Sequence, residues 1–196
     1  MTEEKMLENK MCFLSIARRE ISRNGLEDFL TWLKSTDFFN APASTKFHGN
    51  YEGGLCEHSL NVYMQLVELN DRYGLEIERE ALAVCGLFHD VCKADMYVRV
   101  PRNVKNADGK WVIKYVWEVD EEIPLGHGEK SCILIQRYMP LATDELLAIR
   151  WHMGGFDSAS RGGDWSMSRA QEKVKLVTLL QVADMLSSHL LEKTEK

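Results

Sequence analysis

Apolar residues recur every three or four positions along most of the chain, and this period predicts a mainly α-helical protein. Within residues 3–35 the pattern predicts two helices, and Gly25 marks the break between them. A loop over 41–52 leads into a helix that carries His58 on the same face as its apolar residues. A lone histidine on such a face fits a satisfied core residue about as well as a ligand, so its role depends on a partner.

The next apolar stripe extends from Ala81 to Phe88, and His89 and Asp90 stand side by side at its end. A carboxylate so close to a buried face is costly unless it is paired or binds a metal. Taken alone, the His–Asp pair fits a helix cap at least as well as a metal site. The other histidines of the chain therefore decide between these two interpretations.

The pattern changes after this helix, where β-branched and aromatic residues dominate two segments, 97–100 and 111–117. Between them lies the step Asp108-Gly109, which favours a tight hairpin turn. We predict a β-hairpin over residues 97–117, inserted into an otherwise helical domain. The fold class is thus mainly α with one inserted hairpin.

Helical periodicity returns after the hairpin and predicts three further helices. One opens near His127, and a second begins near Thr143 and ends at His152. A Gly/Ser-rich loop over 154–165 follows, and Ser168 with Gln171 fits a capping box that starts the last helix. An aspartate, Asp184, interrupts the apolar stripe of this last helix, and an exposed position at the helix edge explains it less well than a buried polar role.

Composition limits the function classes. The chain has 196 residues and a formal net charge of -6, which argues against nucleic-acid or membrane binding by its whole surface but leaves room for a basic pocket. It contains no apolar run long enough for a bilayer and no signal-peptide core, so we expect a cytoplasmic protein. We predict a single domain, in which N-terminal helices over 1–40 precede a metal-binding core over 45–190.

Five cysteines are present, an odd number, and they form no Cys-x-x-Cys pair. Three of them lie on apolar helical stripes. This distribution favours buried free thiols in a reducing compartment over disulfides or a zinc–thiolate site.

Histidines and aspartates recur at helix ends or on apolar helix faces, and five of the six histidines lie in or near this set. Imidazole nitrogen and carboxylate oxygen suit iron, manganese, zinc or nickel, and carboxylates also accept magnesium. The candidate metal ligands are His58, His89, Asp90, His127, His152 and Asp184.

The order His58, His89–Asp90, Asp184 resembles the HD-domain superfamily of metal-dependent phosphohydrolases. The resemblance extends over roughly residues 45–190, and the two additional histidines match the family's binuclear branch. The segment 48–60 is similar to the family's approach to its first ligand. The stretch from His89 to Lys93 has the His-Asp-x-x-Lys form.

This resemblance implies an HD-domain-like helical bundle with one inserted hairpin, and one or two divalent ions, Fe, Mn, Ni, Zn or Mg. It implies a first metal held by His58, His89, Asp90 and Asp184, and a second held by Asp90, His127 and His152. Two metals can clamp a phosphoryl group and supply a hydroxide nucleophile. Asp90, as the bridging carboxylate, and Lys93, as a phosphate-binding charge or proton donor, are the candidate catalytic residues.

Besides Lys93, four residues are candidates for substrate binding. Arg102 and Arg150 can bind phosphate, although each fits a solvated surface arginine at least as well. His48 and Tyr51 can reach substrate from their loop, or can pack the loop instead. For Lys93 the competing interpretation is a solvated lysine at a helix end.

The leading hypothesis is a metal-dependent phosphohydrolase that cleaves a small phosphoester, a nucleotide or a related compound, with a metal-bound hydroxide as nucleophile. One alternative is a single-strand nucleic-acid exonuclease, which a basic groove beside the site would favour. Others are a non-catalytic metal or nucleotide sensor and di-iron oxygenase chemistry. The sequence predicts no membrane partner and leaves the oligomeric state, the metal and the exact substrate open.

Overall fold

The structure, a computed structural model, describes residues 1–192 and is mainly helical, with one β-hairpin. The α-helices are α1 (Glu3–Glu20), α2 (Leu26–Ser35), α3 (Gly54–Tyr73), α4 (Arg79–Phe88), α5 (His127–Gln136), α6 (Thr143–Trp151), α7 (Ser158–Arg161), α8 (Ser166–Lys173) and α9 (Lys175–Leu186). The hairpin strands are β1 (Tyr97–Lys105) and β2 (Trp111–Val119). Short 3₁₀ turns cover Val91–Lys93 and Gly154–Phe156, and a π-helical turn covers Ser187–Leu191. The predicted fold class is confirmed.

The two N-terminal helices pack against the end of α4. Gly25 separates them as predicted, and its φ of 90° is a left-handed conformation that glycine adopts without strain. The ring centroids of Phe13 and Phe29 lie 5.8 and 4.9 Å from that of Phe88, and all three rings are fully buried. Because Phe88 directly precedes His89, this aromatic cluster fixes the chain just before the candidate ligands.

Two glycines allow helices to approach closely next to the candidate ligands. A Cβ atom on Gly86 of α4 would lie 2.6 Å from the Tyr63 Cα atom of α3. A Cβ atom on Gly128 of α5 would lie 2.2 Å from the carbonyl oxygen of Arg150 in α6. Real side chains do not tolerate such contacts, so glycine is required where these helix pairs meet.

The hairpin is antiparallel and extends two residues beyond the predicted end, since Tyr97 pairs with Val119 and Lys105 with Trp111. Within residues 1–192 the two strands pair only with each other. A Gly at position 109, with a φ of 74°, completes the tight turn. Tyr97 is buried at the base of the hairpin, whereas most of β2 is exposed.

The predicted last helix is divided in two. Val174, with extended backbone angles of φ -129° and ψ 107°, separates α8 from α9, which contradicts a continuous helix from Ser168. The capping-box prediction is also wrong, because α8 begins two residues earlier, at Ser166.

Among the described residues, no single helix combines the length and apolar character needed to cross a membrane. The segments 166–173 and 175–191 meet those criteria only as a pair, and they are bent by 107° relative to each other.

All five cysteines are free thiols, as predicted. Four are buried, and Cys12 is exposed. Burial raises the pKa of Cys56 and of Cys85, which keeps these thiols protonated.

Candidate metal centre

The helix ends bring the candidate ligands together in one buried cluster. His58 lies in the first half of α3, and His89 directly follows α4. His127 begins α5, His152 directly follows α6, and Asp184 lies near the end of α9. Asp90 sits between α4 and the 3₁₀ turn, and its carboxylate lies at the centre of the cluster.

The first group of ligands comprises His58, His89 and Asp184, whose donor atoms all lie within 4.8 Å of one another. Nε2 of His58 is 3.2 Å from Nε2 of His89 and 3.3 Å from Oδ1 of Asp184. Both of these Nε2 atoms are 3.6 Å from Oδ2 of Asp90. Four donor groups therefore face one small volume.

The second group lies on the other oxygen of the same carboxylate. Nε2 of His152 is 3.4 Å from Oδ1 of Asp90, and Nδ1 of His127 is 3.9 Å from the same atom. Both nitrogens are buried, and within residues 1–192 neither has a hydrogen-bond partner. Asp90 thus presents one oxygen to each group of histidines.

A hydrogen bond at Nδ1, the ring nitrogen that faces away from Asp90, orients three of the histidine rings. In His89 and His152, Nδ1 lies 3.0 and 2.7 Å from the carbonyl oxygen of the residue three positions earlier. In His58, Nδ1 lies 3.0 Å from Oε1 of Glu192. These oxygens only accept, so each Nδ1 donates its proton, and in the neutral ring Nε2 carries a lone pair. Metal-bound histidines show this same second contact.

This geometry fits a cation. Nε2 of His58 and Nε2 of His89 face each other at 3.2 Å, and a positive charge between them, either a proton or a metal ion, removes the repulsion of their lone pairs. Three carboxylates also converge here, those of Asp90, Asp184 and Glu192, while within residues 1–192 Lys93 is the one lysine that pairs with any of them. Excess buried negative charge is costly without a positive partner. Imidazole and carboxylate donors suit divalent transition metals.

The electrostatics of the first group reflect the same excess of carboxylates. Burial opposes a charge on His58, but Glu192, Asp184 and Asp90 together raise its pKa above the ordinary value. Burial lowers the pKa of His89 well below its usual range, which keeps that ring neutral and able to donate its lone pair. Burial also raises the pKa of Asp184.

Lys93 is buried and does not behave as a solvated lysine. Its Nζ lies 2.7 Å from Oδ2 of Asp90 and donates to the carbonyl oxygen of Ala43 at 2.8 Å. Burial favours a neutral amine, yet the Asp90 carboxylate more than offsets this and raises the Lys93 pKa. The lysine charge in turn lowers the pKa of Asp90 against the effect of burial. The pair is therefore ionised on both sides.

The remaining predicted residues lie in different surroundings. His48 is beside the cluster, with its ring centroid 5.0 Å from that of His58. Its Nε2 is buried and has no hydrogen-bond partner among the described residues. The hydroxyl of Tyr51 donates to Glu57 at 2.5 Å. Arg102 is on the hairpin and pairs with Glu118.

Arg150 is held by two carboxylates. Its guanidinium lies 2.8 Å from Asp157 and 2.7 Å from Glu129, and it stacks 3.8 Å from the ring centroid of Trp151. These contacts occupy the guanidinium in the structure, so they favour a structural role for Arg150 over phosphate binding.

Two residues of the centre were missed from the sequence. Glu192 is nearly fully buried behind His58 and also accepts a hydrogen bond from Asn61 at 3.1 Å. Cys92, Asp90 and His127 also offer donor atoms that all lie within 4.8 Å of one another. The His-Asp-x-x-Lys spacing placed Cys92 nearby, but Glu192 had no sequence signal.

Comparison with known proteins shows the family of the chain. A family model described as HD domain matches residues 55–188 of the chain. The dihydroneopterin 2',3'-cyclic phosphate phosphodiesterase of Methanocaldococcus jannaschii is 38% identical over 63 residues, which are 30% of this chain and 25% of that relative. The match thus spans about a quarter of the relative's length. No solved structure matches the chain.

Proposed function

Because the chain belongs to the HD-domain family, we propose that it is a metal-dependent phosphohydrolase acting on a small phosphoester, a nucleotide or a related compound. The observation that carries this proposal is the Asp90 carboxylate, which offers one oxygen to His58 and His89 and the other to His152. This divided carboxylate fits a phosphohydrolase centre better than a helix cap, since a cap needs no converging imidazoles.

The proposed ligands fall into two sets that share Asp90. Divalent ions bound there would supply Lewis-acid polarisation of a phosphoryl oxygen and activation of water. The first set is His58, His89, Asp90 and Asp184, and the second is Asp90, His127 and His152.

Lys93 and His48 have separate proposed roles beside these ligands. The ammonium of Lys93 holds Asp90 in position and provides a fixed positive charge for a substrate phosphate. Burial lowers the pKa of His48 to about 4, so its ring is neutral. Its buried Nε2, which has no hydrogen-bond partner within residues 1–192, can bind a substrate oxygen. Tyr51 remains a candidate for substrate contact from the same loop.

We also propose that residues 45–190 form the metal-binding core and that 1–40 support it within one domain. This proposal is supported by the contacts of Phe13 and Phe29 with Phe88, beside the first His–Asp ligand pair. The substrate class draws on the printed name of the matched relative, a phosphodiesterase of a cyclic phosphate.

The proposal is tested by stripping the purified protein with a chelator and restoring single metals from Fe²⁺, Mn²⁺, Ni²⁺, Zn²⁺ and Mg²⁺. Bis(p-nitrophenyl) phosphate, nucleoside monophosphates and 2',3'-cyclic nucleotides serve as substrates. We expect the stripped protein to be inactive, and at least one metal to restore release of product. A fully metal-loaded protein that hydrolyses none of these phosphoesters would contradict the proposed function.

A further inference from the structure

A cleft of about 920 Å³ lies between the hairpin and the loop 45–50. We propose that this cleft binds a single-stranded segment of nucleic acid, so that the phosphohydrolase acts on a strand that extends beyond its reacting phosphate. The inference rests on the proposed phosphohydrolase activity and extends its substrate from a small phosphoester to a phosphodiester within a strand. It is carried by the charge of the cleft, by the aromatic row beside it and by the two elements that border both the cleft and the metal centre.

The hairpin is basic although the whole chain is acidic. Residues 97–119 contain five lysines and arginines against two acidic residues, whereas the chain has a net charge of -6. Lys46, Arg99, Arg102 and Lys114 all line the cleft. Within residues 1–192, neither Lys46 nor Lys114 forms an ion pair, so both charges are available to a polyanion. A local basic groove of this kind tracks a phosphate backbone.

An aromatic row follows one face of β2 and shares Tyr115 and Trp117 with the cleft, whereas Lys114 and its register partner Arg102 line the cleft from the other face of the hairpin. Trp111, Ile113, Tyr115 and Trp117 alternate along β2 and therefore point to the same side. Trp111 and Tyr115 are 68% and 59% exposed, so packing within the fold does not explain them. Each base of a single strand offers a π-face, and exposed aromatic rings beside cations bind such bases by stacking.

Cations lie directly beside this row. Arg99 stacks on Trp117, and Lys105 on Trp111, each 5.3 Å from the ring centroid. The strands place these partners opposite each other, because Arg99 pairs with Trp117 and Lys105 with Trp111 in the register. Alternating positive charges and flat rings match the phosphates and bases of an unpaired strand. A duplex would leave the rings unused, since its bases are already stacked.

Both elements that form the cleft also contribute residues beside the metal centre. The loop 45–50 contributes Lys46 to the cleft, and His48 of the same loop lies against His58. At the base of the hairpin, the buried Tyr97 lies close enough to the Asp90 and Lys93 charges for both to influence its pKa, which burial raises to about 12. A strand lying in the cleft would therefore run along two elements that also border the metal centre.

The test measures binding of fluorescent oligonucleotides of about 12 nucleotides, single-stranded DNA and RNA, to the metal-free full chain. A blunt duplex and AMP serve as competitors. Three variants alter the proposed surface, Trp111→Ala, Tyr115→Ala and Lys114→Gln. Two matched controls alter exposed residues on other elements, Tyr73→Ala in α3 and Lys34→Gln in α2.

We expect the single strands to bind, and each aromatic variant to raise Kd by about tenfold or more. Lys114→Gln is expected to reduce the slope of log Kd against log salt by about one, while the controls leave both quantities unchanged. Comparison of the DNA and RNA arms identifies which strand is preferred.

The inference is overturned if neither single strand binds, if AMP or the duplex competes as well as the strand, or if the surface variants bind like the controls. A wild-type protein that hydrolyses bis(p-nitrophenyl) phosphate but fails to bind the strands would overturn this inference and leave the proposed function standing. Binding that responds to the hairpin variants, in a protein that hydrolyses nothing, would instead support the cleft and contradict the hydrolase.

Discussion

The histidine–aspartate cluster and the β-hairpin differ in what holds their side chains in place. In the cluster, the protein core surrounds His89 and His152, and a backbone carbonyl orients each ring. On the hairpin, Trp111 and Ile113 project from a two-stranded sheet, and within residues 1–192 no third strand pairs with it. The surrounding core holds the side chains of the cluster, whereas the exposed side chains of the hairpin have no such packing.

This difference indicates a division of roles. A ligand geometry that depends on the packing of several helices changes only when those helices move, so it suits chemistry that needs exact positions. A two-stranded hairpin contributes little to the core and tolerates changes on its exposed face. We therefore expect changes in the cluster to affect metal binding and turnover, and changes on the hairpin to affect substrate preference. The following predictions test this division.

The largest effect is expected from His89→Ala, which removes a ligand at the centre of the first group. Bound metal should be lost from that position, and turnover should fall by more than about a hundredfold. Mass spectrometry of metal content and a hydrolysis assay measure the two quantities. His189→Ala is the matched control, because this exposed histidine lies outside the cluster. Full metal occupancy in His89→Ala would reject the ligand assignment.

Lys93→Met is expected to retain metal but to reduce turnover by roughly a hundredfold, the scale for loss of a charge stabiliser. The matched control is Lys130→Met, which breaks another buried lysine pair, at 2.9 Å from Glu121. Without metal, Asp90 would remain buried and unpaired, so the stripped variant should lose about 3–5 kcal/mol of stability. Wild-type turnover in Lys93→Met would leave only a structural role for the lysine.

Glu192→Ala is expected to weaken metal binding by about 10–100-fold, because His58 would lose the acceptor that fixes its ring. Glu192→Gln retains an acceptor oxygen and should restore most of the affinity. Metal titration by competition with a chelating dye measures the difference. Equal affinities of the alanine variant and the wild type would show that Glu192 does not position His58.

Much of the candidate metal centre was predictable from the sequence, and particular residues show why the rest was not. His58, His89 and Asp184 were found because polar residues on apolar helix faces demand a reason for their burial. Glu192 was not, because it reaches His58 across 134 positions of sequence and its local surroundings are ordinary. Only tertiary structure brings such a pair together.

The secondary structure shows the same contrast. The hairpin was predictable because the Asp108-Gly109 step is a strong local signal, and the structure confirms its position. The break at Val174 was not predictable, since no glycine or proline marks it and the apolar stripe continues on both sides. There, burial of Val174 against the core overrides a weak local helical preference.

Gly86→Ala tests the packing that brings α3 and α4 together. The new methyl group would meet the Tyr63 backbone, and we expect overpacking to reduce the free energy of unfolding by about 1–3 kcal/mol. Metal affinity should fall as well, because these helices carry His58 and His89. Gly155→Ala is the control, since nothing lies within 4 Å of its added methyl group. Denaturant unfolding of both variants measures the effect, and equal stabilities would contradict the close approach.

The smallest effect is expected on the hairpin, where Ile113→Ala is compared with Ile135→Ala in α5. Ile113 is 66% exposed and Ile135 is fully buried, so the same deletion probes both regions of the comparison. The free energy of unfolding of the core variant should fall by about 2–5 kcal/mol. The free energy of unfolding of the hairpin variant should change by less than about 0.5 kcal/mol, because the exposed Ile113 side chain makes little apolar contact. In a chain of this length, each kcal/mol corresponds to about 2–4 °C in Tm, so calorimetry separates the two outcomes. Comparable losses in both variants would mean that the hairpin face is packed in solution, against the core or against a second copy of the chain, and would remove the contrast between the two regions.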